Sequence, residues 1–406
     1  MIVAYLIHDI HGLLACSLTS RSWYIAAVPH LHRTLITQIS DHDDSKKTEW
    51  PRPLQAGSEF GWLPFITTLS ITVHYTKVFS PDAFRSSTQR EFSALTNVRE
   101  LYINHLDIPS FIPGIQWYFG HFSQTLRSLT LGHPKGSDWQ VLFFIGLFPH
   151  LEDLELYANG SRPRKPADLI LAPPFVPSLR GRFRTCYLRE DSLAKAMIEL
   201  FGGVRFRHMD LCSVGGAQLL LYSCADALET FQLSASDLCG GTLSPEGVRV
   251  STNDFTGRGS SRICDLSQNK SLRELKISVG TLVEALMNHT PDVASSSLRT
   301  MLSTIESPAF SKVVFVYHEN DFNHFLSDAR LDVMSSGEAA WYRMQFDAFR
   351  EVCKAGDFRL VLRAWCLSDR SVRELKRAVA AETARGGLPP ELLEIYPGAE
   401  PSVSPI

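Results

Sequence analysis

The chain is 406 residues long, 44% hydrophobic and 20% charged, with a formal net charge of -3. That composition describes a folded protein with room for two or three domains or for one extended array of stacked units, and it gives no electrostatic reason to expect nucleic acid or a membrane surface as a partner. Its 8 cysteines are scattered, with no C-x-x-C pair, which points to reduced thiols in a cytoplasmic or nuclear compartment rather than to a disulfide framework.

The opening MIVAYLIHDI is apolar but has no basic segment and is interrupted by His8 and Asp9, so no signal peptide is expected. Leu13, Leu14, Cys16 and Leu18 then make a dense apolar patch. Ser20-Arg21-Ser22 precedes the run Trp23 to Val28, and Pro29 closes it. Serine ahead of a helix-length run and proline past it are start and stop signals, so residues 1–40 read as a small module of two short helices with a turn near Thr19. Residues 41–61 turn polar, with Asp41, Asp43, Asp44, Lys46, Lys47 and Glu49, and read as an exposed connector.

From about residue 62 to 317 one phrase recurs. TNVRELYI carries Val98, Leu101 and Ile103; QTLRSLTL carries Leu126, Leu129 and Leu131; FPHLEDLELY carries Leu151, Leu154 and Leu156; ADALETFQL carries Leu228, Phe231 and Leu233; NKSLRELKI carries Leu272, Leu275 and Ile277. A three-then-two spacing puts the last two side chains on one face of a short strand and lets the first lead in from a turn. Weaker copies are ITTLSITV, VRFRHMDL and the strand Phe310 to Val316, and LRGRFRTCYL, Leu179 to Leu188, is the copy expected before Met209, in poor phase. Leu101 to Leu129 is 28 positions and Leu129 to Leu154 is 25, the period of a leucine-rich repeat with one strand and one helix per unit. The expected fold is therefore α/β, a leucine-rich-repeat-like open solenoid. Helices are expected over Ser110 to Phe122, Asp138 to Phe148, Asp191 to Phe201, Gln218 to Ala227 and Thr281 to Asn288. Such units cannot bury their apolar faces alone and must stack.

Two segments interrupt the series: proline-rich Asn159 to Pro177, and the Gly/Ser-rich stretch Ser234 to Arg262. Both are rim loops with the freedom to carry contacts. Residues 318–387 read as a C-terminal α/β cap, with an amphipathic helix over Glu338 to Ala355, a strand over Phe358 to Trp365 and a charged helix over Ser371 to Ala384. Residues 388–406 read as a loosely structured, proline-containing tail. The longest strongly apolar piece, Val141 to Phe148, is too short to span a membrane.

Chemistry-bearing motifs are sparse. Gly257-Arg258-Gly259 lacks the strand and helix that give a phosphate loop its meaning, and His30 and His32 lack an H-E-x-x-H context. Cys212, Cys224 and His208 are too loosely spaced for zinc, and there is no G-x-S-x-G elbow. No catalytic, metal-binding or cofactor-binding residue is therefore expected, and the chain reads as a non-enzyme. The one local basic concentration is Arg180, Arg182, Arg184 and Arg189 with Arg162, Arg164 and Lys165. It reads either as a solvated rim or, at Arg180, Arg182 and Arg184, as a surface for an acidic or phosphorylated target segment.

LLACSLTSRSWYIAAVPHLHRTL, Leu13 to Leu35, resembles the second half of an F-box as it occurs in fungal F-box proteins, in particular those of mushroom-forming fungi: a leucine pair, a small-residue segment, Ser-x-x-Trp, then His-Leu-x-Arg. GVRFRHMDL, CADALETFQL, ICDLSQNKSLRELKI and SPAFSKVVFVY resemble the repeat region of the same family, in the same order, so the resemblance spans about Ile2 to Tyr317. It implies a non-catalytic substrate receptor of a cullin-based (SCF) ubiquitin ligase. The N-terminal module would dock on the Skp-type adaptor through Leu13, Leu14, Leu18 and Trp23 or their immediate support, and the repeats would hold an unidentified target protein. The Leu-Pro-x-Glu element that opens such a module is not found ahead of Ile2, so the resemblance implies a module truncated at its entrance. The alternative is a repeat scaffold for protein contacts that no longer engages the adaptor.

Overall fold

Where the motif is clearest, a strand begins one residue ahead of its second apolar position, and Leu101, Leu129, Leu154 and Leu275 are all fully buried there. The computed structural model describes residues 9–40, 61–74, 92–111, 119–157, 173–185, 191–211, 217–234, 264–278, 300–318, 359–365 and 393–396, with single helical residues at 373, 376, 380 and 384. The chain is α/β and divides into two compact units, Met1–Tyr187 with Lys195–Val204, and Leu188–Ala194 with Arg205–Ile406.

The first unit opens with helices α1 (Ile10–Thr19) and α2 (Arg21–Leu31). Asp9 caps α1 by accepting from Gly12 N–H at 2.9 Å, and Ser20, between the helices, caps α2 by accepting from Trp23 N–H. The turn expected near Thr19 is therefore this serine. Pro29 lies inside α2 rather than after it; a proline this close to the end removes a single backbone bond. Leu13 and Ala27 are buried together, with Trp23 and Leu31 packed against them.

Six strands follow in this unit: β1 (Thr34–Ser40), β2 (Thr68–His74), β3 (Glu100–Asn104), β4 (Ser128–Gly132), β5 (Asp153–Tyr157) and β6 (Arg182–Thr185). Each pairs in parallel with the next in chain order. One buried ladder runs Leu35, Leu69, Leu101, Leu129, Leu154, Phe183, and a second runs Thr37, Ile71, Ile103, Leu131, Leu156, Thr185. The first apolar residue of each motif sets the entry. Val98, Leu126 and Leu151 are fully buried, and the residue just before one strand accepts from two consecutive N–H groups of the next, as Arg99 O does from Arg127 and Ser128. Hydroxyls tie neighbouring copies: Thr125 donates to Val98 O and Ser178 to Leu151 O.

Behind the sheet lie α3 (Ile108–Phe111), a 3-10 turn at Gly120–Phe122, and α4 (Asp138–Ile145). Ser137 and Gln140 close a capping box at the start of α4, and Val141 to Ile145 are all buried, as an all-round apolar helix must be. Phe119, Phe144 and Phe148 meet edge to face at 5.2 and 5.4 Å. The helix expected over Ser110 to Phe122 is described only at its two ends. One of the three points at which the chain passes from one unit to the other, Ala194 to Lys195, falls within α5 (Asp191–Phe201), whose Ala194, Met197 and Phe201 are buried at helical spacing.

The second unit repeats the scheme with β7 (His208–Leu211), α6 (Ala217–Ser223), β8 (Thr230–Ser234), β9 (Glu274–Ser278), β10 (Lys312–His318), β11 (Arg359–Trp365) and β12 (Leu393–Tyr396), its strands again parallel and in chain order. Gln218 on α6 grips the backbone of Asp265 with both amide atoms, at 2.8 and 2.9 Å. Two strands correct the expectation. β1 lies inside the module read as helical, and β12 lies in the stretch read as a loose tail. Expectations for 41–60, 159–172, 235–262, Thr281 to Asn288 and Glu338 to Ala355 fall outside the described residues. Among the described residues no helix is long and apolar enough to cross a membrane.

Candidate functional site

Two surfaces of the first unit gather the residues of interest. On the helical pair, Leu13 is 1% exposed and Trp23 packs beside it, whereas Leu14 is 46% and Leu18 86% exposed. Leu13 and Trp23 thus form the support, and Leu14 and Leu18 stand on its outside. Tyr24 and Ile25 on α2 are also exposed. An outward leucine gains nothing for the fold while it faces water.

The second surface is the outward face of the sheet, where residues alternate with the buried ladder. In register across the strands it reads Glu100, Ser128, Asp153; then Ser70, Tyr102, Thr130, Glu155, Arg184; then Thr72, Asn104, Gly132, Tyr157. Glu155 is buried and accepts from the Tyr157 hydroxyl at 3.0 Å, and Glu100 accepts from the Thr68 hydroxyl at 3.0 Å. Burial, reinforced by Glu100, Glu155 and Asp153, pushes the Tyr102 phenol up to about 12.

Of the basic residues singled out, Arg182 and Arg184 share the outward side of β6, while Arg180 precedes the strand and is exposed. The Arg184 guanidinium lies 5.9 Å from the centre of the Tyr157 ring, and Arg182 donates its backbone N–H to the Asp153 carboxylate at 2.5 Å. These arginines therefore border a carboxylate-bearing face. Arg162, Arg164, Lys165 and Arg189 lie outside the described residues. Glu100, Tyr102, Asp153, Glu155 and Tyr157 were not singled out from the sequence. The only available signal was their place at the variable positions of R-E-L-Y-I and E-D-L-E-L-Y.

In the second unit Glu274 is flanked by Lys276 at 3.6 Å and Lys312 at 3.8 Å. Val313 to Val316 are all buried, and Val314 and Val316 cluster with Val361, so both faces of β10 are covered. Burial also pushes the Cys224 thiol up to about 12, which makes it a poor nucleophile at neutral pH. His30 lies in the last turn of α2, and His32 caps it and stacks on Trp62 at 4.7 Å. Among the described residues no His, Cys, Asp and Glu group is placed to hold a metal ion. No family model matches the chain and no curated protein matches it.

Proposed function

We propose that the chain is an F-box-type substrate receptor of a cullin-based (SCF) ubiquitin ligase. In this reading 1–40 holds the F-box-like helical pair followed by strand β1, 41–61 is a connector, 62–317 a leucine-rich-repeat-like open solenoid, 318–387 a C-terminal cap, and 388–406 a last segment that contributes strand β12. The observation that carries the reading is the division of labour on α1 and α2. Leu13, Ala27 and Trp23 bury one another, and Leu14 and Leu18 are held outward without a described covering. An exposed apolar pair on a rigid support is the ordinary chemistry of a protein-docking surface. The adaptor would cover Leu14 and Leu18, the sheet would hold the target, and ubiquitin transfer would belong to other subunits.

The test is titration of the purified chain with a Skp-type adaptor, with and without a Leu-Pro-x-Glu entrance added ahead of Ile2. Leu14→Asp/Leu18→Asp, both exposed, should leave the circular dichroism spectrum unchanged and weaken binding by at least about tenfold. Absence of binding in either form overturns the receptor reading and leaves the scaffold.

A further inference from the structure

The outward faces of β3, β4 and β5 form a trough. Its floor is Ser128, Thr130 and Gly132 on β4; its walls are Glu100, Tyr102 and Asn104 on one side and Asp153, Glu155 and Tyr157 on the other. Paired strands lie about 4.8 Å apart, so the wall backbones stand about 10 Å apart across short side chains, room for one extended chain or one long side chain. Asn104 closes one end, since its carboxamide fills the space where a Cβ on residue 132 would sit.

The trough is one-signed. Its outward positions hold three carboxylates and two phenols, and no lysine, arginine or histidine. Glu155 is 7% exposed, and the Tyr157 hydroxyl is its only donor among the described residues. A carboxylate has about four acceptor sites, and a buried one is costly until a cation meets it. Its register neighbour Arg184 is turned over the Tyr157 ring. The Tyr102 phenol is raised first by burial and then by the same three carboxylates.

We propose that the trough along β4 is the docking site for an extended segment of a target protein carrying lysine or arginine, the cation seated over Glu155 between Tyr102 and Tyr157. Ring faces and carboxylates attract the same ion. An acidic or phosphorylated segment would meet like charge, which disfavours it. The origin of the segment in a ubiquitination target rests on the receptor reading; the site itself does not.

The experiment is fluorescence anisotropy of a Gly/Ser peptide bearing spaced lysines, against the same peptide with glutamates or phosphoserines, on the full chain. The lysine peptide should bind at least about tenfold more tightly than either, and weaken with salt. Glu155→Gln should cost about tenfold, as should Thr130→Arg, which places the protein's own cation in the trough. Failure of the lysine peptide to bind, equal or tighter binding of an acidic one, or indifference to Glu155→Gln overturns the proposal. Adaptor binding measured on the same preparations separates the two readings. Adaptor binding without peptide binding removes the trough alone, and peptide binding without adaptor binding removes the receptor alone.

Discussion

Leu179 has a backbone φ of 39°, inside the left-handed region that a branched side chain avoids, and yet it is 1% exposed. The reason lies one turn further on. In the copies around β3, β4 and β5 the lead-in residue precedes the first ladder residue by three positions, whereas Leu179 precedes Phe183 by four. The extra residue is taken up as a bulge. Gly181 donates to Glu152 O, and the following N–H turns to the Asp153 carboxylate instead of to a shared carbonyl. A Cβ on residue 181 would overlap that carboxylate and stand 3.1 Å from Glu152 O. Gly181→Ala should therefore destabilise the chain by about 1–3 kcal/mol in urea denaturation, as overpacking does. Gly120→Ala, with nothing within 4 Å of its Cβ, should stay within about 0.5 kcal/mol. Equal effects at the two sites would remove the bulge argument. The bulge also explains why the sixth copy reads in poor phase. Its leucine is buried and its phenylalanine reaches the ladder, but the spacing that reveals a ladder in a sequence is the feature a bulge changes. The trough residues were illegible for a different reason. Any polar residue satisfies an outward position, so only strand register places Tyr102 across Thr130 from Glu155.

Among elements, the strands in the middle of the series were legible because they carry apolar residues at both ladder positions, and those at the ends were not. In β1 the second ladder position is Thr37, 2% exposed and with its hydroxyl unpartnered. A threonine there hides the pattern and makes TLITQIS look like the end of a helical module. β12 is four residues, LEIY, set between prolines at 390 and 397, below the length at which alternation stands out. At the join between α2 and β1 a ring pair stands beside the hydrogen bonds that the Thr67 and Thr68 N–H groups donate to Arg33 O. His32, the C-cap of α2, stacks on Trp62 with 15° between the planes, and burial lowers its pKa from 6.5. The unfolded chain then takes up a proton at higher pH than the native one, so stability falls as pH drops below about 6.5 and levels off once the depressed native value is passed. His32→Gln should show a smaller loss between neutral pH and mildly acid pH than the parent in urea denaturation. An identical pH dependence in the two proteins would show that the stacked imidazole does not carry it.

At the scale of the molecule, stacked units that bury their apolar residues only against neighbours should unfold according to how many neighbours a residue has. Within the first unit Leu129 has ladder partners on both sides, Leu101 and Leu154, while Leu35 has Leu69 on one side. Leu129→Ala should cost about 2–5 kcal/mol, the range for a buried leucine, with Leu35→Ala at or below its lower end. The pattern of hydrogen exchange discriminates more sharply than the magnitude. Leu35→Ala should speed exchange in β1 and the helical pair and leave β3 to β5 protected, because the ladder beyond Leu69 is intact. Leu129→Ala should speed exchange from β2 through β6, because it removes the contact that both flanking strands share. Should Leu35→Ala expose β3 to β5 as fully as Leu129→Ala does, the unit opens all at once and the nearest-neighbour account is wrong. The outcome also bears on the trough. Its walls belong to the best-supported strands, so the side chains that would hold a basic segment are carried by the part of the unit least ready to open.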